Sequence, residues 1–397
     1  MVGCNYPKES ELIERAVKKG VWNDGNRGNT EKLQMRLFRL CAACFLLATL
    51  TGACATPARS KPEMAAQKEK PWFGVHLYMS GRNVLPDLKR TITEWLAPNG
   101  VNVLILEVNY MFAFQSRPEL SRSDDAITKE DARELSALCR SLGIKLIPQF
   151  NCLGHQSWGN KGGTFPLLAK YPELDETPWI PHTNEGIYCR SWCPLEPKVN
   201  ELVFPLIDEL IDAFQPEAFH VGMDEVFLIA DSKCPRCGGK NPAEVFANAV
   251  NDLHRHIVGE KKLTMLMWGD RLIDMAAMDY GMFESSRNGT AAAIDMIPKD
   301  IIVCDWHYGR RPEYPSVTLF QEKGFRVWPA SWNTEKASLA LLKYARKTAT
   351  PKMIGHLCTT WCSIPDFAKG LQEKNGDPRK KDPFAAFLAC ARMMKQR

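Results

Sequence analysis

From residue 71 onward, short apolar or β-branched runs alternate with amphipathic stretches. The runs fall at 72–79, 101–108, 144–150, 218–223, 263–268, 301–306, 325–330 and 353–361. Helical spacing occupies the segments between them, at 85–98, 128–142, 197–214, 242–259, 312–323, 334–348 and 381–395. This alternation is the pattern of a parallel sheet with covering helices. The 128–142 segment carries both punctuation marks: Thr128 with Asp131 imitates a capping box, and Gly143 closes the helix. Only 272–299 shows no clear period. Eight strand and helix units predict an α/β fold, a (β/α)8 TIM barrel forming one domain over 71–397. Such a barrel places its chemistry at the C-terminal ends of its strands. The rival doubly wound sheet would need a Gly-rich phosphate fingerprint, and the chain has none.

The segment before residue 71 reads differently. Residues 1–34 have no pattern and suggest a start-site extension. Residues 35–55 read as an export leader: Met-Arg-Leu-Phe-Arg, then an uncharged run over 40–50, then Thr51-Gly52-Ala53-Cys54-Ala55. About eleven apolar residues are too few to span a bilayer, which takes roughly 20. Ala53-Cys54-Ala55 fits a cleavage site, and Thr51-Gly52-Ala53-Cys54 fits a bacterial lipobox that would lipidate Cys54, the one membrane attachment the sequence suggests. Residues 56–70 form a polar linker. The expected location is therefore exported, periplasmic or on the cell surface of a bacterium.

Charge then adds less than it first suggests. The chain carries a formal +5, but residues 1–58 hold eight Lys/Arg against five Asp/Glu, leaving +2 for the rest. No basic stripe remains for a phosphate backbone, so nucleic acid is not an expected partner. With 45% hydrophobic and 24% charged residues, disordered, collagen-like and multi-span membrane classes are excluded.

The residues just after each strand are polar or aromatic: Asn151 and His155, Asp224-Glu225, Trp268 with Asp270, Trp306-His307-Tyr308, Trp332 with Asn333, and Trp361. Several Trp side chains at one end of a barrel suit stacking on sugar rings, within the aromatic-lined cleft typical of ligand sites. In Phe219-His220-Val221-Gly222-Met223-Asp224-Glu225 the alternation of a strand sends Phe219, Val221 and Met223 under the helices. His220, Gly222 and Asp224 then face the barrel interior, and an exit turn swings Glu225 over the same cleft. Two adjacent carboxylates repel, which lets the pair divide into acid and base roles.

His220 to Glu225 resembles the His-x-Gly-x-Asp-Glu signature of glycoside hydrolase family 20, the β-N-acetylhexosaminidases, at every fixed position. The segment from Ile147 to His155 is similar to that family's Pro-Glu-x-Asp-x-Pro-Gly-His, and Trp268-Gly269-Asp270 to its Trp-x-Asp. Gly355 to Trp361 is similar to its closing strand. The resemblance implies retaining, substrate-assisted hydrolysis of amino-sugar glycans with no cofactor and no metal at the site. Glu225 would be the acid and base and Asp224 the group that orients the acetamido substituent. His155, His220, Trp268, Asp270, Trp306, Tyr308, Trp332 and Trp361 would bind the sugar. The chain departs from the family where Phe73 replaces an Arg that holds hydroxyls. Gln149, Asn151 and Leu153 replace Glu, Asp and Pro, and Ser363 replaces a Glu. Two alternatives stay open: a glycan-binding barrel without turnover, and a double-displacement glycosidase with a carboxylate such as Glu335 as nucleophile.

Cys189, Cys193, Cys234 and Cys237 flank the acidic strand. Their spacing is compatible with a structural zinc site, with disulfides or with free thiols. His254 and His256 point to different helix faces and make a poor chelating pair. Asn288-Gly-Thr290 reads as a turn rather than a glycosylated sequon.

Overall fold

The computed structural model describes residues 70–158, 163–181, 183–184, 186–373 and 381–396. The leader, Cys54 and most of the linker lie outside the described residues. Eight strands form: β1 Trp72–Tyr78, β2 Val103–Glu107, β3 Lys145–Cys152, β4 Ala218–Gly222, β5 Thr264–Trp268, β6 Ile302–Trp306, β7 Arg326–Ser331 and β8 Gly355–Thr359. They pair in chain order as a closed barrel, all parallel, with β8 returning to β1 in the register Trp72 opposite Gly355. The fold is a (β/α)8 barrel, as the strand and helix rhythm predicts.

Strand alternation divides the core into two layers. Val103, Ile105, Ile147, Leu266, Ile302 and Leu357 point inward and pack around Trp328. Val75, Leu104, Phe219, Val221, Met265 and Val303 point outward into the layer shared with the helices. The bulk of Trp328 inside the barrel explains Gly74 across from it, because a Cβ there would lie 2.3 Å from the indole.

The helices are α1 Leu85–Thr91, α2 Lys129–Ser141, α3 Pro166–Lys170, α4 Pro197–Phe214, α5 Pro242–His254, α6 Pro315–Glu322, α7 Glu335–Lys347, α8 Ile364–Glu373 and α9 Pro383–Lys395. The Thr128 and Asp131 side chains close a full capping box on α2. Helix α8 has no counterpart among the predicted segments. Ser363 starts it, its hydroxyl accepting from the Asp366 backbone N–H at 3.1 Å and donating to the Asp366 carboxylate at 2.7 Å. The 272–299 connection contains short 3-10 turns, Asp270–Leu272 and Thr290–Asp295, rather than an α-helix. Its order comes from the buried Arg271, whose guanidinium donates to the carbonyls of Met282, Phe283 and Ser285. Periodicity cannot reveal a loop built around one side chain.

One expectation is corrected here. Phe73 does not stand at the mouth of the barrel. The pleat of β1 turns it outward, where its ring stacks on Phe387 of α9 at 5.9 Å. His76 lies on the opposite face of the same strand and contacts Glu107.

Candidate active site

The pleat of β4 ends at Gly222, and the chain then turns through three residues with left-handed backbone: Gly222 at φ 69°, Met223 at 74° and Glu225 at 49°. A side chain at 222 is excluded twice over, because a Cβ would lie 2.6 Å from Asn151 Oδ1 and 2.9 Å from its Cα. Strand β3 crowds this point because its pairing with β4 slips between Gln149 and Cys152. Non-glycine residues with positive φ recur at neighbouring strand exits: Leu153 and His155 after β3, and Trp361 after β8. Such conformations cost on the order of 1 to 3 kcal/mol each and persist where packing fixes them, often at functional sites. As the alternation predicts, Met223 enters the outer core while His220 faces inward.

The turn brings both carboxylates to one imidazole. His155 Nε2 lies 3.2 Å from Asp224 Oδ2 and 3.2 Å from Glu225 Oε2. Asp224 and Glu225 are 7% and 8% exposed, enough to meet a ligand while remaining in a low-dielectric site. Asp270 holds Glu225 from below. Its Oδ2 accepts from the Glu225 backbone N–H at 2.9 Å and from Arg271 Nε at 2.6 Å, and its Oδ1 accepts from Trp306 Nε1 at 3.1 Å. Burial pushes the Asp270 carboxyl up to about 6, against the opposing Arg271 charge.

Burial works against charge on His155, yet the Asp224 carboxylate outweighs it and raises the imidazole well above its ordinary value. The same contact holds Asp224 below the usual carboxylate range despite its burial. The two groups therefore form an ion pair. The His155 half of its stabilisation is full below about pH 6.5 and is lost as pH rises through the raised histidine value. The Asp224 half is full above about pH 3.9 and is lost as pH falls through the depressed carboxylate value. We expect the melting temperature of the native chain to fall on the alkaline side more steeply than that of a His155→Gln variant. Thermal melts of both proteins from pH 5 to pH 10 check this, and a constant difference across the range contradicts it.

Among the buried polar atoms of this region without a hydrogen-bonding partner in the described residues are Asp224 Oδ1, His220 Nε2 and Trp268 Nε1. His220 is neutral, since burial and the nearby His76 lower it to about 3. Its Nδ1 accepts from the Gly222 backbone N–H at 3.0 Å, so the Nε2 carries the proton. These three offer a ligand one acceptor and two donors. An unpaired buried group costs about 1 to 3 kcal/mol, which a bound polar molecule recovers.

The predicted aromatics come together as one wall. Trp268 lies 6.2 Å from Trp361, Trp306 4.8 Å from Tyr308, and Tyr308 5.3 Å from Trp332. The Trp361 indole N–H donates to the Tyr308 hydroxyl at 2.7 Å, and the Trp332 indole N–H to the Thr360 carbonyl at 2.8 Å. His307 supports this wall from outside. It pairs with Glu284, whose other oxygen accepts from the Tyr308 backbone N–H. A second aromatic group continues from His155 through Tyr188, at 6.1 Å, to Phe283, 5.3 Å beyond. No strand ends at Tyr188 or Phe283, so reading strand exits passes them by.

Glu107 is the main residue that sequence reasoning misses. It is buried at the end of β2 and contacts His76 Nε2 at 3.0 Å. It also accepts from the side-chain amides of Asn109, Gln149 and Asn151. The signal is present in the sequence, because Glu107 is the one charged residue in the apolar run 101–108. It also explains two departures from the family pattern. With a carboxylate at 107, further acids at 149 and 151 would repel it, whereas amides donate to it.

The remaining candidates find structural roles. Asn288 donates to the carbonyls of Val226 and Phe227, so it fixes the loop after Glu225 from a turn. His254 pairs with Asp300, and His256 with Asp208 and Glu260. Glu335 opens α7, where a carboxylate complements the helix N-terminus. His155, Asp224 and Glu225 place three ligand-type atoms within 4.8 Å of one another, so this trio has the donor atoms to hold a cation. Cys189 lies apart from Cys193, with its Sγ 3.5 Å from the Glu225 carbonyl.

Comparison with known proteins identifies several similar chains. A β-hexosaminidase of Akkermansia muciniphila is 32% identical over 113 residues, which is 28% of this chain and 21% of that protein. Hexosaminidase D of Bos taurus is 23% identical over 244 residues, 58% of this chain and 63% of that protein. The chain thus spans less than two thirds of the length of these relatives. Among solved structures, a β-N-acetylhexosaminidase from Bacteroides fragilis superposes with TM-score 0.54 at 14% identity, covering 81% of this chain and 65% of the other. A chitobiase from Flavobacterium johnsoniae gives 0.55 at 17% identity, covering 81% and 48%. At such identity these two likenesses concern the fold. The pattern of the glycosyl hydrolase family 20 catalytic domain matches residues 102–363, and the chain belongs to that family.

Proposed function

We propose that the protein is an exported glycosidase that releases β-linked N-acetylhexosamine from amino-sugar glycans by substrate-assisted, retaining hydrolysis. The observation that carries this reading is the orphaned Asp224 Oδ1 beside Glu225, under a wall of indoles. A carboxylate kept ionised by His155 and lacking a donor is suited to an acetamido N–H. In the first step the acetamido carbonyl oxygen bonds to the anomeric carbon as the glycosidic bond breaks, and Glu225 gives its proton to the departing oxygen. Asp224 stabilises the positive charge that develops on the oxazolinium ring. In the second step water attacks the anomeric carbon, Glu225 takes its proton, and the ring reopens with configuration retained. Asp270 acts through Glu225 as a positioning residue.

The indole wall is suited to the apolar face of the sugar and to the acetamido methyl group. Export rests on residues 35–55, and lipidation at Cys54 would leave the barrel on a membrane surface. Assay of four aryl β-glycosides, the glucose and galactose forms each with 2-acetamido or 2-hydroxyl, tests both parts in fractionated cells expressing the full chain. Hydrolysis confined to the acetamido pair, and found in the exported fraction, is the expected result. Equal hydrolysis of all four, or activity only in the cytosol, contradicts it.

A further inference from the structure

Outside the active site, the loop after β3 and the loop after β4 meet at a buried cluster. Glu176, Cys193, Cys234 and Cys237 place one ligand-type atom each within 4.8 Å of one another. They come from three chain segments. Glu176 and Cys193 are brought side by side by the bridge between Asp175 and Trp192, where the Glu176 N–H donates to Ser191 and the Cys193 N–H to Leu174. Cys234 and Cys237 lie on a tight turn closed by the Gly238 N–H donating to the Cys234 carbonyl at 2.9 Å. Gly238 is required there, because a Cβ would lie 2.6 Å from that same carbonyl oxygen.

The distances exclude one of the chemistries open to these cysteines. The sulfurs of Cys193 and Cys234 are 3.6 Å apart, far from the roughly 2.05 Å of a disulfide. They are close to the edge of a tetrahedron around zinc, about 3.8 Å for zinc–sulfur bonds of about 2.3 Å. The sulfur of Cys237 lies 2.8 Å and 3.1 Å from the two Glu176 oxygens. Carboxylate, thiol and thiol pair this closely in the interior only if protons or a cation separate their charges. We propose that Glu176, Cys193, Cys234 and Cys237 bind one structural Zn²⁺ that ties the loop after β3 to the loop carrying the chain away from Glu225.

One further feature fits that ion. Three thiolates and one carboxylate around Zn²⁺ leave two negative charges, and Arg236 lies beside them. Its guanidinium also donates to Glu196 and to the carbonyls of Glu173 and Asp175, so it braces the same two loops. Binding would release the thiol protons to solvent. Cys189 is not a ligand, and the fourth position goes to a carboxylate that Cys spacing alone cannot reveal.

The test is metal analysis of the full chain purified from zinc-supplemented cells under reducing conditions. One zinc per chain by mass spectrometry is expected, together with a thiolate-to-cobalt charge-transfer band after substitution with Co²⁺. Cys189→Ser should keep the zinc. Glu176→Gln, a near-isosteric change, should weaken retention against a chelator by at least about tenfold, the lower range reported for disturbing even outer-shell partners. A folded wild-type chain that contains no zinc and takes none up from Zn²⁺ solution overturns the proposal. So does peptide mapping that finds Cys193 joined to Cys234.

Discussion

Glu225→Gln is expected to lower kcat on aryl N-acetyl-β-glucosaminides by about 10² to 10⁴, the range a positioned general acid supplies. The fold should be untouched, because Glu225 is anchored through its backbone N–H to Asp270 and an amide side chain still reaches His155. An amide keeps the shape and can still meet His155 through its oxygen, but it has no proton to give at ordinary pH. The dependence on the leaving group separates this role from a structural one. Departure of 2,4-dinitrophenolate needs little protonation, so its rate should fall far less than that of an unactivated phenol or a sugar. Uniform slowing across leaving groups would instead assign Glu225 a part in holding the site together. An unchanged kcat on unactivated substrates would end its assignment as the acid.

The parts of this site that are legible in sequence are those fixed by short-range rules. Period-two alternation places His220 inside and Phe219, Val221 and Met223 outside, and adjacency alone puts Asp224 and Glu225 at one strand exit. The Trp wall follows from reading the exits of four other strands, β5 to β8. What escapes is fixed by contacts between distant segments. Glu107 becomes the centre of a hydrogen-bonded group only when β1, β2 and β3 stand side by side. The direction of Phe73 depends on where β1 starts in the closed barrel, which no local pattern states. Arg271 orders the 272–299 loop through carbonyls more than ten residues away, and Glu176 reaches the cysteines across a bridge between separate loops. The departures at 149 and 151 therefore do not signal a lost site. They record that charge in this barrel sits at 107, with amides arranged to receive it.

Asp224→Asn is expected to cost about 10² to 10³ in kcat, comparable to removing one preorganised group from a charge-stabilising site. Asparagine retains a carbonyl oxygen that can accept the acetamido N–H, so ground-state binding should weaken little. The loss should fall on kcat rather than KM, because the full negative charge matters only once the oxazolinium develops its positive charge. His155 would also lose its ion-pair partner, and its imidazole should titrate lower in the variant. A cycle with the substrate isolates the effect: replacing the 2-acetamido group by hydroxyl should be as damaging in the native enzyme as any change tested. In Asp224→Asn that same replacement should cost much less, since the two changes remove one interaction from its two ends. Additive losses would mean that Asp224 serves the fold or Glu225 instead of the acetamido group. Rapid hydrolysis of the 2-hydroxy substrate by the native enzyme would mean that a protein carboxylate, and not the substrate, supplies the nucleophile.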